Sequence, residues 1–373
     1  MEANVINTLA AILAISLIST RALWHLVWRP CTVARCFARQ GIQGPPYRFL
    51  TGSVWEIRRM LVAGREKGPL ATGCHDYTSL VNPFFHKWVS YYGKTFLYWI
   101  GPIPAICSTD MELVKQVLED RTGLFQKEYL NPSLEGILGN GVISANGDDW
   151  RRHRRIVYPI FNHENLKSLF AMVWDGTQNM IEQWLTQIEK GDGHQTQLNM
   201  RPCSEELTLG IIEQVIFGKK YKEAREAFAA GKELQKLAVY AFADPPVPGF
   251  RYLPTRRNRR SWKLEKLVTA KVTQIIRARV AEFHYGHDLL GLMLRACRKD
   301  AEILSIKEII GECVTFFAAG QDTTANLLTW GMFLLSIYPQ WQQQVREEVL
   351  REWPDDGKVP SMDVLGKLNL VCS

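Results

Sequence analysis

The segment from Ser305 to Tyr338 constrains this chain most. Ser305 and, three residues on, Glu308 form a capping box, in which each side chain satisfies a backbone N–H that the first helical turn leaves free. At the far end Tyr338-Pro339 closes the pattern, because proline cannot donate into the ladder and can open the next helix. The enclosed helix is predicted at about 30 residues, long for a globular protein. Its apolar residues recur as Ile309, Cys313 and Phe316, then Leu327, Gly331 and Leu334. Within that stripe the run "AAGQDTT" puts Gly320, Thr323 and Thr324 where core side chains belong. Two readings follow. Glycine removes bulk so that something flat can approach the backbone, and a mid-helix threonine that bonds the carbonyl four residues back loosens and bends the helix. Alternatively, the glycine only packs helices and the threonines only back-bond.

Helical periodicity also marks roughly 148–160, 163–189, 203–217, 222–240, 261–283, 288–299 and 339–352. Residues Thr95–Asp110 read as two short strands about the Gly101-Pro102 turn, followed by a helix Met111–Leu118 that Asp110 caps. The expected class is mainly α with a small β-sheet. With 373 residues and 46% apolar content the chain can bury a large core.

At the N-terminus no charge occurs from Ala3 to Thr20, and the apolar character resumes after Arg21. Val5–Trp28 is long enough to span a bilayer core of about 30 Å, with Trp24 and Trp28 at an interface. Arg29, Arg35 and Arg39 follow it, so the positive-inside rule places the remainder in the cytosol. A cleaved leader would need a basic start and a small-residue cleavage site, and neither is present. Residues 1–28 are therefore expected to be a membrane anchor, 29–53 a basic, Pro-rich hinge, and 54–373 a globular domain.

Charge excludes some functions. The excess of 45 basic over 38 acidic residues, net +7, is mild and dispersed. It suits a membrane surface or an acidic protein partner rather than nucleic acid. The basic run after Val247 reads as a solvated or membrane-facing patch. The eight cysteines show no C-x-x-C and no metal-ligand spacing, as expected for a reduced compartment. No G-x-S-x-G, P-loop, G-x-G-x-x-G or H-E-x-x-H occurs. One further stretch, "GDDWRRHRRIVYPIF", puts Trp150 and Arg154 at i and i+4 on one helix face, with His153 close by. An indole beside a guanidinium can clamp a carboxylate, although a solvated basic helix packed by one Trp would look the same.

Together, the anchor, the Pro-rich hinge, W-x-x-x-R (Trp150, Arg154) and A-G-x-D-T-T (Ala319–Thr324) on one long helix resemble a plant microsomal cytochrome P450 monooxygenase. The clan is the one that includes hydroxylases of brassinosteroids, gibberellins and other terpenoid or fatty substrates. The resemblance runs over nearly the whole chain. It implies the cytochrome P450 fold, a haem cofactor, and insertion of one oxygen atom of O2 into a lipophilic small molecule. Electrons would come through NADPH–cytochrome P450 reductase at the endoplasmic reticulum membrane, with the globular part cytosolic. Trp150 and Arg154 would contact a haem propionate, with His153 as helper. Ala319 and Gly320 would line the distal groove, Thr323 would hydrogen-bond dioxygen there, and Asp322 would help deliver protons, with Thr324 adjacent. Phe125–Asn146 and Phe242–Tyr252 resemble substrate-covering loops.

The sequence departs from the family in one respect. A haem-thiolate enzyme needs a cysteine on the iron, in a loop F-x-x-G-x-R-x-C-x-G that follows an E-x-x-R helix. Neither is found in its family position after Thr324. Glu348 and Arg351 have the right separation but come too early, and Cys372 lacks the flanking Gly and Arg. The expectation is an incomplete P450 domain, without its axial cysteine, that binds haem weakly or not at all and is inactive. The alternative function is a non-catalytic, membrane-anchored fragment.

Overall fold

The computed structural model describes residues 2–66, 76–127, 141–161, 163–190, 197–218, 222–242, 252–281, 288–299, 304–353 and 362–372, with a few isolated positions between them. Two compact units form: residues 1–133 with 238–258, and residues 134–237 with 259–373.

In the first unit, helix α1 (Glu2–Leu23) runs through a π-helical turn (Trp24–Trp28) into α2 (Arg29–Arg39). The stretch Ile6–Arg39 is one helix long and apolar enough to cross a membrane, and its apolar side chains are exposed. The first half of the expected hinge is thus helical, with Pro30 at the start of α2. Tyr47, in the connector, donates its hydroxyl to the Leu26 carbonyl at 2.6 Å. Helices α3 (Val54–Glu66), α4 (Thr78–Val81) and α5 (Pro83–Tyr92) precede an antiparallel hairpin, β1 (Thr95–Ile100) and β2 (Ile103–Ser108), paired Thr95↔Ser108 through Ile100↔Ile103. Buried Trp88 and Phe96 meet on one face of β1, with ring centres 5.8 Å apart, and buried Trp99 meets Tyr47 on the other at 5.0 Å. Asp110 caps α6 (Met111–Leu118), accepting from the Glu112 and Leu113 amides.

The second unit holds α7 (Gly147–Val157), a 3-10 turn (Tyr158–Phe161), α8 (His163–Lys190), α9 (Met200–Phe217), α10 (Lys222–Phe242), α11 (Arg256–Ala281), α12 (Leu289–Lys299), α13 (Ile306–Ile337), α14 (Pro339–Glu352), α15 (Met362–Leu365) and α16 (Asn369–Cys372). Helices α10 and α11 straddle the boundary between units. Phe217, Phe228, Ile275, Met293, Ile309 and Phe317 meet in one core. Buried Arg279 ties three helices, donating to the Phe217 carbonyl, to the Tyr285 carbonyl at 3.1 Å and to Asp288 at 2.5 Å. The predicted capping box is formed: Glu308 N–H donates to Ser305 Oγ and Ser305 N–H to Glu308 Oε2. Helix α13 is α-helical over all 32 residues, straight through the motif. Helix α9 packs against α13 more extensively than any other pair of helices among the described residues.

Candidate functional site

Helix α7 presents two different sides. On its exposed side Trp150, Arg154 and Tyr158 follow at i, i+4 and i+8, which stacks them. The guanidinium carbon of Arg154 lies 5.1 Å from the Trp150 ring centre and 5.5 Å from that of Tyr158. The rings hold the cation in place without neutralising it. Arg154 makes no ion pair among the described residues, so its N–H fork can still accept an anion.

The other side is buried at His153, Ile156 and Val157. His153 Nδ1 lies 2.5 Å from Glu312 Oε1, and Nε2 lies 3.6 Å from Glu308 Oε1. A carboxylate only accepts, so Nδ1 carries the hydrogen. This turns His153 away from the Trp150–Arg154 pair and corrects its expected role: it faces two carboxylates of α13, where a third anion would be repelled. Arg152 completes the group, donating to Glu308 Oε1 at 2.6 Å and to Asp149 at 2.9 Å. The Arg152 hydrogen bond, helped by the Ser305 cap, holds the Glu308 carboxyl down to about 2.

On α13, Thr323 donates its hydroxyl to the Ala319 carbonyl at 2.5 Å, as expected for a back-bonded threonine. Its oxygen keeps lone pairs and faces solvent, so it can accept a further hydrogen bond. Ala319 and Thr323 share a face by their i, i+4 spacing, and half-buried Asp322 lies beside them with no hydrogen bond or ion pair among the described residues. Thr324 is exposed. Gly320 does something else: a Cβ there would meet Ile212 Cδ1 of α9 at 2.6 Å. Its open side is filled by that side chain, which lets α9 cross closely. The packing alternative therefore describes this contact of Gly320.

Sequence reasoning missed three members of this region. Glu308 and Glu312, four residues apart, share a face, a repulsive pair that needs a cation between them. That spacing was a usable signal. Gln321 is fully buried, with both amide atoms lacking a hydrogen-bond partner among the described residues. Its place in the run, between a packing glycine and an aspartate, gave no such hint. Of the substrate-covering loops, residues 128–138 and 243–251 lie outside the described residues. Gly139 and Gly141 are described and press onto α13: a Cβ at Gly141 would lie 2.8 Å from Glu312 Oε2, and one at Gly139 2.6 Å from the Gly311 carbonyl.

Residues 75–372 match the family model described as Cytochrome P450. The chain belongs to the cytochrome P450 family. It is 37% identical over 368 residues to Cytochrome P450 709B1 of Arabidopsis thaliana, covering 96% of this chain and 70% of that protein. It is 35% identical to Cytochrome P450 734A6 of Oryza sativa subsp. japonica, covering 94% of this chain and 68% of that one. Among solved structures, the heme domain of cytochrome P450DA superposes with a TM-score of 0.65 at 22% identity, over 88% of this chain and 67% of that chain, a likeness of fold. A mutant of that domain gives 0.62 at 24% identity, and there the P450 chain spans 62% of the match's length.

Haem is the cofactor this family implies. Two features of the P450 chain fit it. Arg154 is a stacked but unneutralised cation of the kind a propionate pairs with. Beyond Thr324 the open face of α13 is apolar, with Leu327 and Trp330 exposed, as a flat macrocycle requires. Cys313 does not fit as an axial thiolate, because it is buried and desolvation pushes its thiol far up. The Cys372 side chain lies outside the described residues. Glu348 and Arg351 do not pair with each other: Glu348 accepts from the Asn369 and Leu370 amides at the start of α16, and Arg351 pairs with Glu352.

Proposed function

We propose that this P450 chain supplies the propionate-holding and oxygen-handling side of a haem-thiolate monooxygenase. The reaction would hydroxylate a lipophilic small molecule, of the terpenoid, steroid-hormone or fatty class, with O2 and electrons from NADPH–cytochrome P450 reductase. Haem, when bound, supplies the oxygen-activating chemistry. The chain's own residues bind and steer. Trp150 and Arg154 hold a carboxylate, Thr323 offers an acceptor oxygen beside small Ala319, and Asp322 moves a proton at its carboxylate. Helix Ile6–Arg39 anchors the chain, on this reading in the endoplasmic reticulum membrane with the globular part cytosolic. The observation that carries the proposal is the pairing of a stacked, unneutralised Arg154 with solvent-facing Thr323 in a chain of this family.

A second reading has support from Cys313, the one cysteine described on α13, whose protonated thiol is unfit as ligand. On that reading the chain is a non-catalytic, membrane-anchored P450 fragment that does not retain haem. Haemin titration followed by a reduced carbon-monoxide difference spectrum separates the two. A Soret band at the position characteristic of thiolate ligation supports catalysis, and no haem-dependent band supports the fragment.

A further inference from the structure

The buried ionic group between α7 and α13 is not used by any step above. Its geometry is unusual for mere packing. His153 is 2% exposed and Glu312 0%, and their contact joins residues 159 apart in the chain at 2.5 Å. Burying two polar groups of this kind is costly, and the cost is recovered only when the geometry is good and the remaining polar atoms are satisfied. Here Glu312 Oε2 has no hydrogen-bond partner among the described residues and lies under Gly141, where any side chain would strike it. The loop is thus pressed down so closely that it seals the pair. Apolar residues would hold α7 with less penalty. What a buried hydrogen-bonded pair adds is a single allowed register, since a slip of one residue along either helix leaves both polar groups without their partner.

The position of the pair gives that register a purpose. His153 is next to Arg154 on the same helix, so holding its buried side also fixes the turn that carries the Trp150–Arg154 stack on the other side. Glu312 lies seven residues before Ala319 and eleven before Thr323, about 10 and 16 Å along a helix rising 1.5 Å per residue. We infer that the His153–Glu312 pair, backed by Arg152 on Glu308, is a positioning device that sets the register of α7 on α13. It thereby fixes where the carboxylate clamp stands relative to the Ala319–Thr323 face. His153 is a positioning residue that touches no ligand itself. The inference rests on the reading of those two faces as haem-facing only for its purpose; the register claim stands on the geometry.

The test uses the full chain in detergent, with hydrogen–deuterium exchange along its length and haemin titration. His153→Asn places an amide N–H close to where Nδ1–H now is, and His153→Leu removes the donor at similar bulk. In His153→Leu, amides of Gly147–Val157 should exchange about 100-fold faster, while those of α11 and α12 are unchanged. Haemin affinity should fall about tenfold or more, because the clamp is no longer held in place. His153→Asn should restore most of both. Glu312→Leu should reproduce the loss, and the double variant should be no worse than either single one. Unchanged α7 exchange in His153→Leu would overturn the inference. So would a uniform rise over the whole unit, or a failure of His153→Asn to rescue, since either means the pair is ordinary core. If His153→Leu fails to fold, Arg152→Leu, which takes away the backing on Glu308, must loosen α7 alone or the inference falls. If the wild-type chain takes up no haemin, the haem reading fails, while the exchange pattern still decides the register.

Discussion

The two halves of α13 are made of similar residues and live in different surroundings. From Ile309 to Gln321 the helix is core: Glu312 and Gln321 are fully buried, and Cys313, Thr315 and Phe317 nearly so. From Leu327 onward it is mostly bare, with Leu327 72% and Trp330 59% exposed. The two threonines of the motif stand where one regime gives way to the other. The first half is gripped by α9 and α7. The second is a large apolar face held out from the unit, and patches of that kind mark binding surfaces rather than ordinary protein exterior. One helix can thus be a fixed frame at one end and a receptive surface at the other.

The largest expected effect comes from testing whether the halves differ in energy as they do in exposure. Phe317 packs on Phe228 with ring centres 4.4 Å apart and lies against Gly231. Phe317→Ala should cost about 3–5 kcal/mol of stability. Leu327→Ala should stay within about 0.5 kcal/mol. Thermal melts of the two variants measure both. Equal losses would mean that the bare face is covered in solution and would abolish the contrast.

Next in size is Gly320→Val, at the seam. Its new atoms would meet Ile212 Cδ1, so about 1–3 kcal/mol should be lost. Ile212→Ala in the same chain should return part of it. A neutral Gly320→Val would put the glycine on the open face, in its groove-lining role.

How much of this was legible follows from distance along the chain. The Ser305–Glu308 box and the Asp110 cap are local, and both were read correctly because their partners lie within three residues. The β1–β2 hairpin was equally plain, since its strands meet across two residues. Trp150 and Arg154 were placed on one face by helical spacing alone. The role of His153 was not legible, because its partner is 159 residues away, and no periodicity reports that. Gly320 was ambiguous for the same reason: a glycine says that something comes close, and only the fold says that it is Ile212. Helix α5, rich in aromatic and β-branched residues, escaped notice because its packing on β1 overrides a weak local preference.

Acid sharpens the comparison at the gripped end. The Glu308 carboxyl is lowered from 4.5 to about 2, chiefly by Arg152. A carboxyl lowered in the folded state contributes stability that is full above its unfolded value and is lost as pH falls through its folded value. The contribution should therefore fade between pH 4.5 and about 2. The site is partly solvated, so it should amount to no more than about 1 kcal/mol. Urea melts against pH should show this slope in the wild-type chain and less of it in Glu308→Gln. A slope of the opposite sign would mean that the carboxyl is neutral at the cap.

The smallest effect on stability carries the cleanest contrast, because it reads access directly. Cys313 belongs to the gripped half, buried and with its thiol pushed up by desolvation. Alkylation requires a thiolate in contact with reagent, and Cys313 is denied both. Met332, in the bare half, is 42% exposed and sits in no tight packing, so Met332→Cys should leave stability within about 0.5 kcal/mol of wild type. Mapped by mass spectrometry, iodoacetamide should label position 332 in that variant at the pace of the exposed Cys36, and Cys313 only in urea. Two thiols on one helix, nineteen residues apart, would then report two environments. Comparable labelling of both in native buffer would show that the core end opens as readily as the bare end. The frame that holds Ala319 and Thr323 in place would then be no frame.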